Sequence, residues 1–272
     1  MLKLYFTFRD LVRIIIRADI YSKKKIGTPG KGRVLRILGN GKSLNNTSIN
    51  KADNVDYMVV NRHVLADNYL DIKPRYYVLA DPHFFTHEEG LEVMRRIDNS
   101  TCWDMSVFIP FRRRKSVHWN KEFKNERISL KTYNAFFFFG YEKIAYFLYE
   151  KQLAMPMVQN VLVAAIMLGI QMNYDVIELY GVEHNWLKNI YVGEDNLVYL
   201  LNEHFYDKEK VSPLPQKTIQ HKEEYPLYLN ISHYARMFQS YWEIKNYLKR
   251  RNLNSRIINK TKDSYIDAFE RG

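Results

Sequence analysis

The sequence predicts an α/β protein built on a doubly wound, mostly parallel sheet. Two observations carry this expectation. Short apolar runs rich in β-branched and aromatic residues alternate with helical stretches. Four of those runs end in glycine, polar or ionisable residues, at Gly39–Ser43, Asn61–His63, Asp81–His83 and Glu183–Trp186. Ligands of such sheets bind beyond the carboxyl ends of the strands, so the four ends outline a rim along one edge.

Taken in order, residues 1–25 come first. Leu4, Phe8, Leu11, Val12 and Ile15 recur at helical spacing, Lys3, Arg9, Arg13 and Arg17 interrupt them, and Lys23–Lys25 follow. This is a basic amphipathic helix. Its composition fits an in-plane anchor on an anionic membrane surface, or a helix packed on the protein's own core. Gly27-Thr-Pro-Gly30 ends it and divides the chain into a helix and linker, 1–30, and a single domain, 31–272. Val34, Leu35, Ile37 and Leu38 predict the first strand, Asp56–Val60 the second and Tyr76–Ala80 the third. Residues 87–97 read as helix, and Met105–Ile109 as a fourth strand closed by Pro110. The basic segment Arg112–Lys124 interrupts the alternation as a loop or small lid. Four successive phenylalanines, Phe136–Phe139, are core or interface, and offer a surface for a homo-oligomer. Gln159–Leu168 is apolar with small residues, a buried helix, and Val176–Tyr180 is a fifth strand. Residues 187–230 are polar, aromatic and irregular, a mobile lid insertion. Tyr234–Arg251 predicts a helix, Ser255–Ile258 a final strand, and Asp263–Phe269 a short tail.

Composition narrows the function classes. A net charge of +11 favours anionic partners: nucleic acid, anionic lipid or a phosphorylated donor. One cysteine, Cys102, excludes an internal disulfide and a multi-cysteine zinc site. No apolar stretch has the length of a membrane-spanning helix. The N-terminal apolar run carries charges and precedes no small-residue cleavage site, so no secretory signal is expected.

The first strand ends in Gly39-Asn-Gly-Lys-Ser-Leu44. Glycines there allow close backbone approach, and their amides are candidates to bind an anion; a tight turn without a ligand is the alternative. A P-loop requires a glycine where Arg36 stands, and a dinucleotide fingerprint requires one where Leu44 stands. Both motifs fail.

With this loop, Asn61 ending the second strand and Asp81-Pro82 the third, the chain resembles the bacterial sialyltransferases of glycosyltransferase family 42. More loosely it is similar to other proteins whose first loop reads Gly-Asn-Gly-Pro-Ser-Leu. Here Lys42 replaces the proline, Asp81-Pro82 stands for Asn-Pro, Leu168-Gly169 matches a Leu-Gly, and Gly181-Val182-Glu183 matches Gly-Ile-Asp. The resemblance spans about residues 33 to 265 and implies a Rossmann-like, GT-A-like fold. It also implies inverting, metal-independent transfer of a sialic-acid-like or Kdo-like sugar from a CMP-sugar to a glycan or lipid-linked glycan hydroxyl. The donor is a substrate and no cofactor is implied. Such an enzyme acts in surface polysaccharide or lipooligosaccharide synthesis, in the cytoplasm, peripheral on the inner face of the bacterial inner membrane. Carried over, Asn40 and Asn61 hold the nucleotide, with Gly39, Gly41, Lys42, Ser43, Asp81 and Gly181 around it. The phosphate-binding tyrosine falls on Tyr191, an earlier tyrosine on Asn185, and the general base on His233. The family's Thr-Ser pair falls on Pro156-Met157, leaving Gln159 and Asn160 to replace it.

The chemistry needs a base for the acceptor hydroxyl and a cation for the leaving phosphate. His233 ranks ahead of His184 as base, Glu183 orients the base or binds an acceptor hydroxyl, and His63, His83, His204 and His221 rank lower. Lys42, Tyr191 or Arg112–Arg114 suit the phosphate. No Asp-x-Asp or His-Glu-x-x-His motif occurs, so no metal ligands are assigned. Two other functions compete: a pyrophosphokinase-like or other phosphate-transferring relative, and a basic nucleic-acid-binding module. The second is disfavoured because the basic residues are spread along the chain instead of forming one motif.

Overall fold

The computed structural model describes residues 1–20, 32–47, 49, 52–114, 122–201, 212–215 and 225–272. An eight-stranded sheet forms its centre. The strands are β1 (Val34–Leu38), β2 (Val55–Val60), β3 (Tyr76–Val78), β4 (Met105–Pro110), β5 (Ile128–Tyr133), β6 (Val176–Tyr180), β10 (Arg256–Asn259) and β11 (Glu270–Arg271). Their order is β11-β10-β6-β1-β2-β3-β4-β5, and every pairing is parallel. The central strands are apolar on both faces, as a sheet covered on both sides must be. On one face Leu35, Ile37, Met58 and Phe108 pack under α5 (Glu142–Glu150), α6 (Val161–Gln171) and α7 (Leu227–Arg251). On the other, Leu38, Val59, Tyr77 and Val107 pack under α2 (Tyr69–Ile72), α3 (His83–Thr86) and α4 (Glu88–Ser100). This is a Rossmann-like α/β arrangement. Gly169 lets α6 lie close on β1, since a Cβ there would come within 2.8 Å of Leu35 Cδ2.

Strand order reverses beside β1, which is flanked by β2 on one side and β6 on the other. Leu38 is in register with both Val59 and Tyr180. The loops leaving β1, β2 and β6 therefore start level and side by side.

Several elements depart from the expectations: α2, α3 and β11 were not expected, and α7 begins at Leu227 instead of Tyr234. Strand β5 lies inside the stretch dominated by the basic run and the phenylalanines. Its weak alternation, Ile-Ser-Leu-Lys-Thr-Tyr, suits a sheet edge with only one neighbour. Helix α5 follows it, where no element was expected. The segment expected to be irregular, 187–230, contains a three-stranded antiparallel sheet of β7 (Ile190–Val192), β8 (Val198–Leu200) and β9 (Leu214–Pro215). A turn at Gly193–Asn196, with Asn196 left-handed (φ 62°), closes the first hairpin. Residues 202–211 and 216–224 of the expected lid, the linker 21–31 and residues 115–121 of the basic loop lie outside the described residues, as do His204 and His221.

The N-terminal segment forms α1 (Leu2–Arg17). It meets the body through Thr7, Asp10 and Ile14, all buried. Asp10 accepts the Phe139 amide (2.9 Å) and pairs with Arg9, Thr7 Oγ1 accepts the Tyr141 amide (3.1 Å), and Arg13 donates to the Phe137 carbonyl. The opposite side carries Leu4, Phe8 and Ile15, which are 61%, 71% and 73% exposed. Among the described residues no helix is long and apolar enough to cross a membrane.

At the amino edge of the sheet Asp56, 4% exposed, accepts Arg33 in a two-pronged pair (2.8 and 2.6 Å), Arg75 (3.2 Å) and the Tyr174 hydroxyl. Burial by itself raises the Asp56 pKa, but hydrogen bonds from Arg33 and Tyr174 and the charge of Arg75 outweigh it and hold it below the usual aspartate value. The ionised form is thus the stabilising one. Asp56→Asn should lower unfolding free energy by about 3 kcal/mol at neutral pH. In urea melts that gap should shrink once the pH falls below about 3.9, where the unfolded aspartate takes up its proton; a gap independent of pH would remove the ion pair from the account.

Candidate functional site

The loops leaving β1 and β6 are joined by their backbones. The Gly39 amide donates to the Tyr180 carbonyl (2.8 Å) and the Gly41 amide to the Gly181 carbonyl (2.9 Å). Glycine is required on both sides of the seam. A Cβ on Gly39 would lie 2.2 Å from the Gly181 oxygen, and Gly181 has φ +63° with Leu44 2.5 Å from where its Cβ would be. The Ser43 amide donates to Glu183 Oε1 (2.6 Å). These amides are occupied within the protein, so the loop does not cradle an anion through Gly39, Gly41 and Ser43 as its glycines suggested. They hold a carboxylate and a neighbouring strand end instead.

Beyond the seam opens a cleft of about 200 Å³. Of the residues assigned from sequence, Gly39, Asn40, Gly41, Lys42, Asn61, Asn160, Gly181, Glu183, His184 and Asn185 line it. Asn61 takes a left-handed backbone (φ 51°), its amide donating to the Val78 carbonyl (3.1 Å) and its carbonyl accepting the Tyr77 hydroxyl. Asn40 Nδ2 donates to the Val60 carbonyl (3.3 Å). Asn160 caps α6, its Oδ1 accepting the Leu162 amide (2.8 Å), and so brings the positive end of that helix to the cleft wall. Ser43 sits just behind the wall. The buried oxygens Asn40 Oδ1, Asn61 Oδ1, Ser43 Oγ and Glu183 Oε2 have no protein partner among the described residues. Buried acceptors are normally bonded, and each orphan costs about 1–3 kcal/mol.

The loop after β6 is braced from below. The Tyr265 amide donates to the Glu183 carbonyl (2.7 Å), Ser264 Oγ to the Val182 carbonyl (2.6 Å), and the Val182 amide to Thr261 Oγ1 (3.1 Å). His184, left-handed at φ 47°, stacks on Trp186 (4.5 Å between centroids), and its Nδ1 is 3.1 Å from the Tyr241 hydroxyl. Burial lowers its pKa to about 3, so the ring is neutral at physiological pH. His63, fully buried beneath Gly39, is lowered to about 3 by the same cause.

Besides Ser43, four assigned residues lie outside the cleft. His233 is on the exposed side of α7, against the Tyr225 hydroxyl (2.6 Å). One position further along, Tyr234 faces inward and stacks on Trp186 (5.6 Å), and the rotation of about 100° per residue turns His233 away. Tyr191 lies on β7, 49% exposed and stacked on Tyr199 (5.4 Å), because the hairpin pairs those two positions. Asp81 is exposed and accepts the His83 amide (2.9 Å) at the start of α3. Gln159 lines a neighbouring groove. Conversely, Trp186, Asn189 and Leu201 line the cleft without having been assigned a role. Trp186 was visible as an aromatic residue at a strand's carboxyl end, whereas Asn189 and Leu201 depend on the antiparallel sheet for their position. Among the described residues no group of three or more His, Cys, Asp or Glu side chains is arranged to hold a metal ion.

The two loop glycines should respond differently to alanine. Gly39→Ala meets backbone and should lose about 2 kcal/mol or more of stability. At Gly41 the new Cβ would meet Glu183 Oε2 at 1.5 Å, the mobile end of a side chain. Gly41→Ala should therefore displace the carboxylate and weaken ligand binding while shifting the thermal midpoint much less than Gly39→Ala. Equal midpoint losses would show that the seam does not distinguish the two positions. Compared with protein-family models, curated proteins and solved structures, the chain has no match in any of the three.

Proposed function

We propose that this protein is an inverting glycosyltransferase that moves a sialic-acid-like or Kdo-like sugar from a CMP-sugar to a hydroxyl of a surface glycan or its lipid-linked precursor. The observation that carries this is a pair of buried acceptors without protein partners among the described residues, Asn40 Oδ1 and Asn61 Oδ1, in residues that line one cleft at the point where strand order reverses. Acceptors without partners call for a ligand rich in donors, and ribose hydroxyls and the cytosine amino group are such donors. Lys42 and the amino end of α6 supply positive potential for the phosphate. The motifs shared with the family 42 sialyltransferases support CMP as the nucleotide and transfer without a metal.

In this mechanism Glu183 is the base. Glu183 lines the cleft and its buried Oε2 has no protein partner among the described residues, so a small rotation of the carboxylate must bring it to the acceptor, whereas His184 is held too weakly basic and His233 lies outside. The acceptor O–H gives its proton to the carboxylate as the oxygen attacks the anomeric carbon from the face opposite the phosphate. The bond from that carbon to the phosphate oxygen breaks, and CMP leaves with the electron pair. Incubation with CMP-sialic acid and CMP-Kdo, read by mass spectrometry, should release CMP. Glu183→Gln should slow turnover by about 100-fold or more, with His233→Gln near wild type. Failure to turn over either donor, together with tighter calorimetric binding of ATP than of CMP, would replace this function with phosphate transfer.

The protein works on the inner face of the bacterial inner membrane, held there by α1. Its exposed apolar side, with the exposed Arg17 at its end, suits an anionic bilayer surface. Phe8→Ser with Ile15→Ser should abolish co-sedimentation with anionic vesicles and leave turnover of a soluble acceptor intact. Undiminished sedimentation would move the anchor elsewhere.

A further inference from the structure

A second groove, of about 630 Å³, opens on the same edge of the sheet, against the ends of β3, β4 and β5 at Ala80, Pro110 and Tyr133. It holds Arg112, Arg113 and Arg236. Among the described residues none of the three has a carboxylate partner. Arg33, Arg36, Arg95 and Arg251, by contrast, each pair with Asp or Glu within 3 Å, and no acidic residue among those described lines the groove. Three guanidiniums lining one groove, with no carboxylate among its described lining residues, repel one another, and an anion bearing more than one charge relieves this. Arg112 is steadied over the Phe136 ring (5.7 Å).

The groove's remaining wall is aromatic and connects it to α1. Phe137 and Phe139 line it, Arg13 of α1 lies over Phe137 (4.5 Å), and Phe6 of α1 meets Phe139 (6.1 Å). A neighbouring hollow of about 520 Å³ shares Phe137, Phe139, Met157 and Arg236 and carries Glu142 and Glu243 on its far side. Toward the first cleft the connection is one peptide long, since Gln159 lines the groove and Asn160 the cleft.

We infer that this groove holds the phosphate head of a membrane-lipid acceptor, with Arg112, Arg113 and Arg236 on the phosphate and Phe137 and Phe139 against the start of the lipid chain. The occupant is a phosphomonoester or pyrophosphate lipid. It enters from the bilayer that α1 touches and presents its glycan hydroxyl toward the cleft at Asn160. That the lipid is an acceptor rests on the transferase function proposed above; that a phosphate lipid binds here does not.

The test uses the full-length protein and phosphatidylcholine vesicles doped with either phosphatidic acid, a phosphomonoester, or phosphatidylglycerol at matched surface charge. Wild type should bind the phosphatidic acid vesicles about tenfold more tightly. The combined variant Arg112→Ala, Arg113→Ala, Arg236→Ala should lose that preference, keep the binding due to α1, and bind CMP as wild type does in calorimetry. Arg113→Ala alone, the gentler change, should lose part of it. Equal affinity of wild type for both lipids overturns the inference. So does a loss of CMP binding in the variant, which would assign the arginines to the donor, or a preference for single-stranded RNA over phosphatidic acid vesicles. If no CMP-sugar is turned over but the lipid preference and its loss persist, the groove stands and the transferase function falls. Turnover without any lipid preference has the reverse meaning.

Discussion

The site depends on the seam between the loops leaving β1 and β6. Two backbone hydrogen bonds, from Gly39 to Tyr180 and from Gly41 to Gly181, draw the chain together at the point where strand order reverses. A side chain on Gly39 or Gly181 would not permit that approach. Once the loops are joined, the Ser43 amide captures Glu183, and the tail segment Thr261–Tyr265 supports the turn from beneath. The glycines therefore act through what they let approach, a carboxylate and a carbonyl, rather than through amides offered to a ligand.

The two edges of the sheet are used in opposite ways. At the amino edge Asp56 satisfies its buried charge with Arg33, Arg75 and Tyr174, an arrangement that stabilises the fold. At the carboxyl edge, among the described residues, several buried oxygens have no protein partner and the cations of the second groove have no carboxylate. Unmet hydrogen bonds and uncompensated charge cost stability. That free energy is returned when a ligand with complementary groups arrives, which is why such groups collect where binding occurs and not where folding is secured.

Helix α1 reverses the usual amphipathic arrangement. A surface helix ordinarily buries its apolar stripe. Here Thr7, Asp10 and Ile14 face the body while Leu4, Phe8 and Ile15 face outward. Gly140 lets the helix come close, since a Cβ there would lie 2.3 Å from Thr7 Oγ1. The Phe136–Phe139 run is divided between roles: Phe136 and Phe138 are core, while Phe137 and Phe139 form the seat of α1 and the wall of the second groove. The helix and the groove thus share one structural support.

Periodicity sufficed for much of the fold. The alternation of apolar runs and helices determined a parallel α/β sheet, because strands buried on both faces must be apolar throughout. The carboxyl ends of β1, β2 and β6 were visible as Gly-Asn-Gly, Asn61 and Gly181–Asn185, and register brings them together. Strand β5 was hidden, because an edge strand has a weak alternating pattern and this one lies beside a basic run. Side-chain direction was equally hidden. Nothing local distinguishes His233 from Tyr234, one residue apart on α7, yet helical rotation and the stacking of Tyr234 on Trp186 turn only one of them toward the cleft. The sequence by itself determined the sheet and the loop residues gathered at its carboxyl edge. Only the tertiary structure decided which amides were already taken, which oxygens were left without partners, and that the apolar side of α1 faces outward, because each of these is set by contacts between segments far apart in the chain.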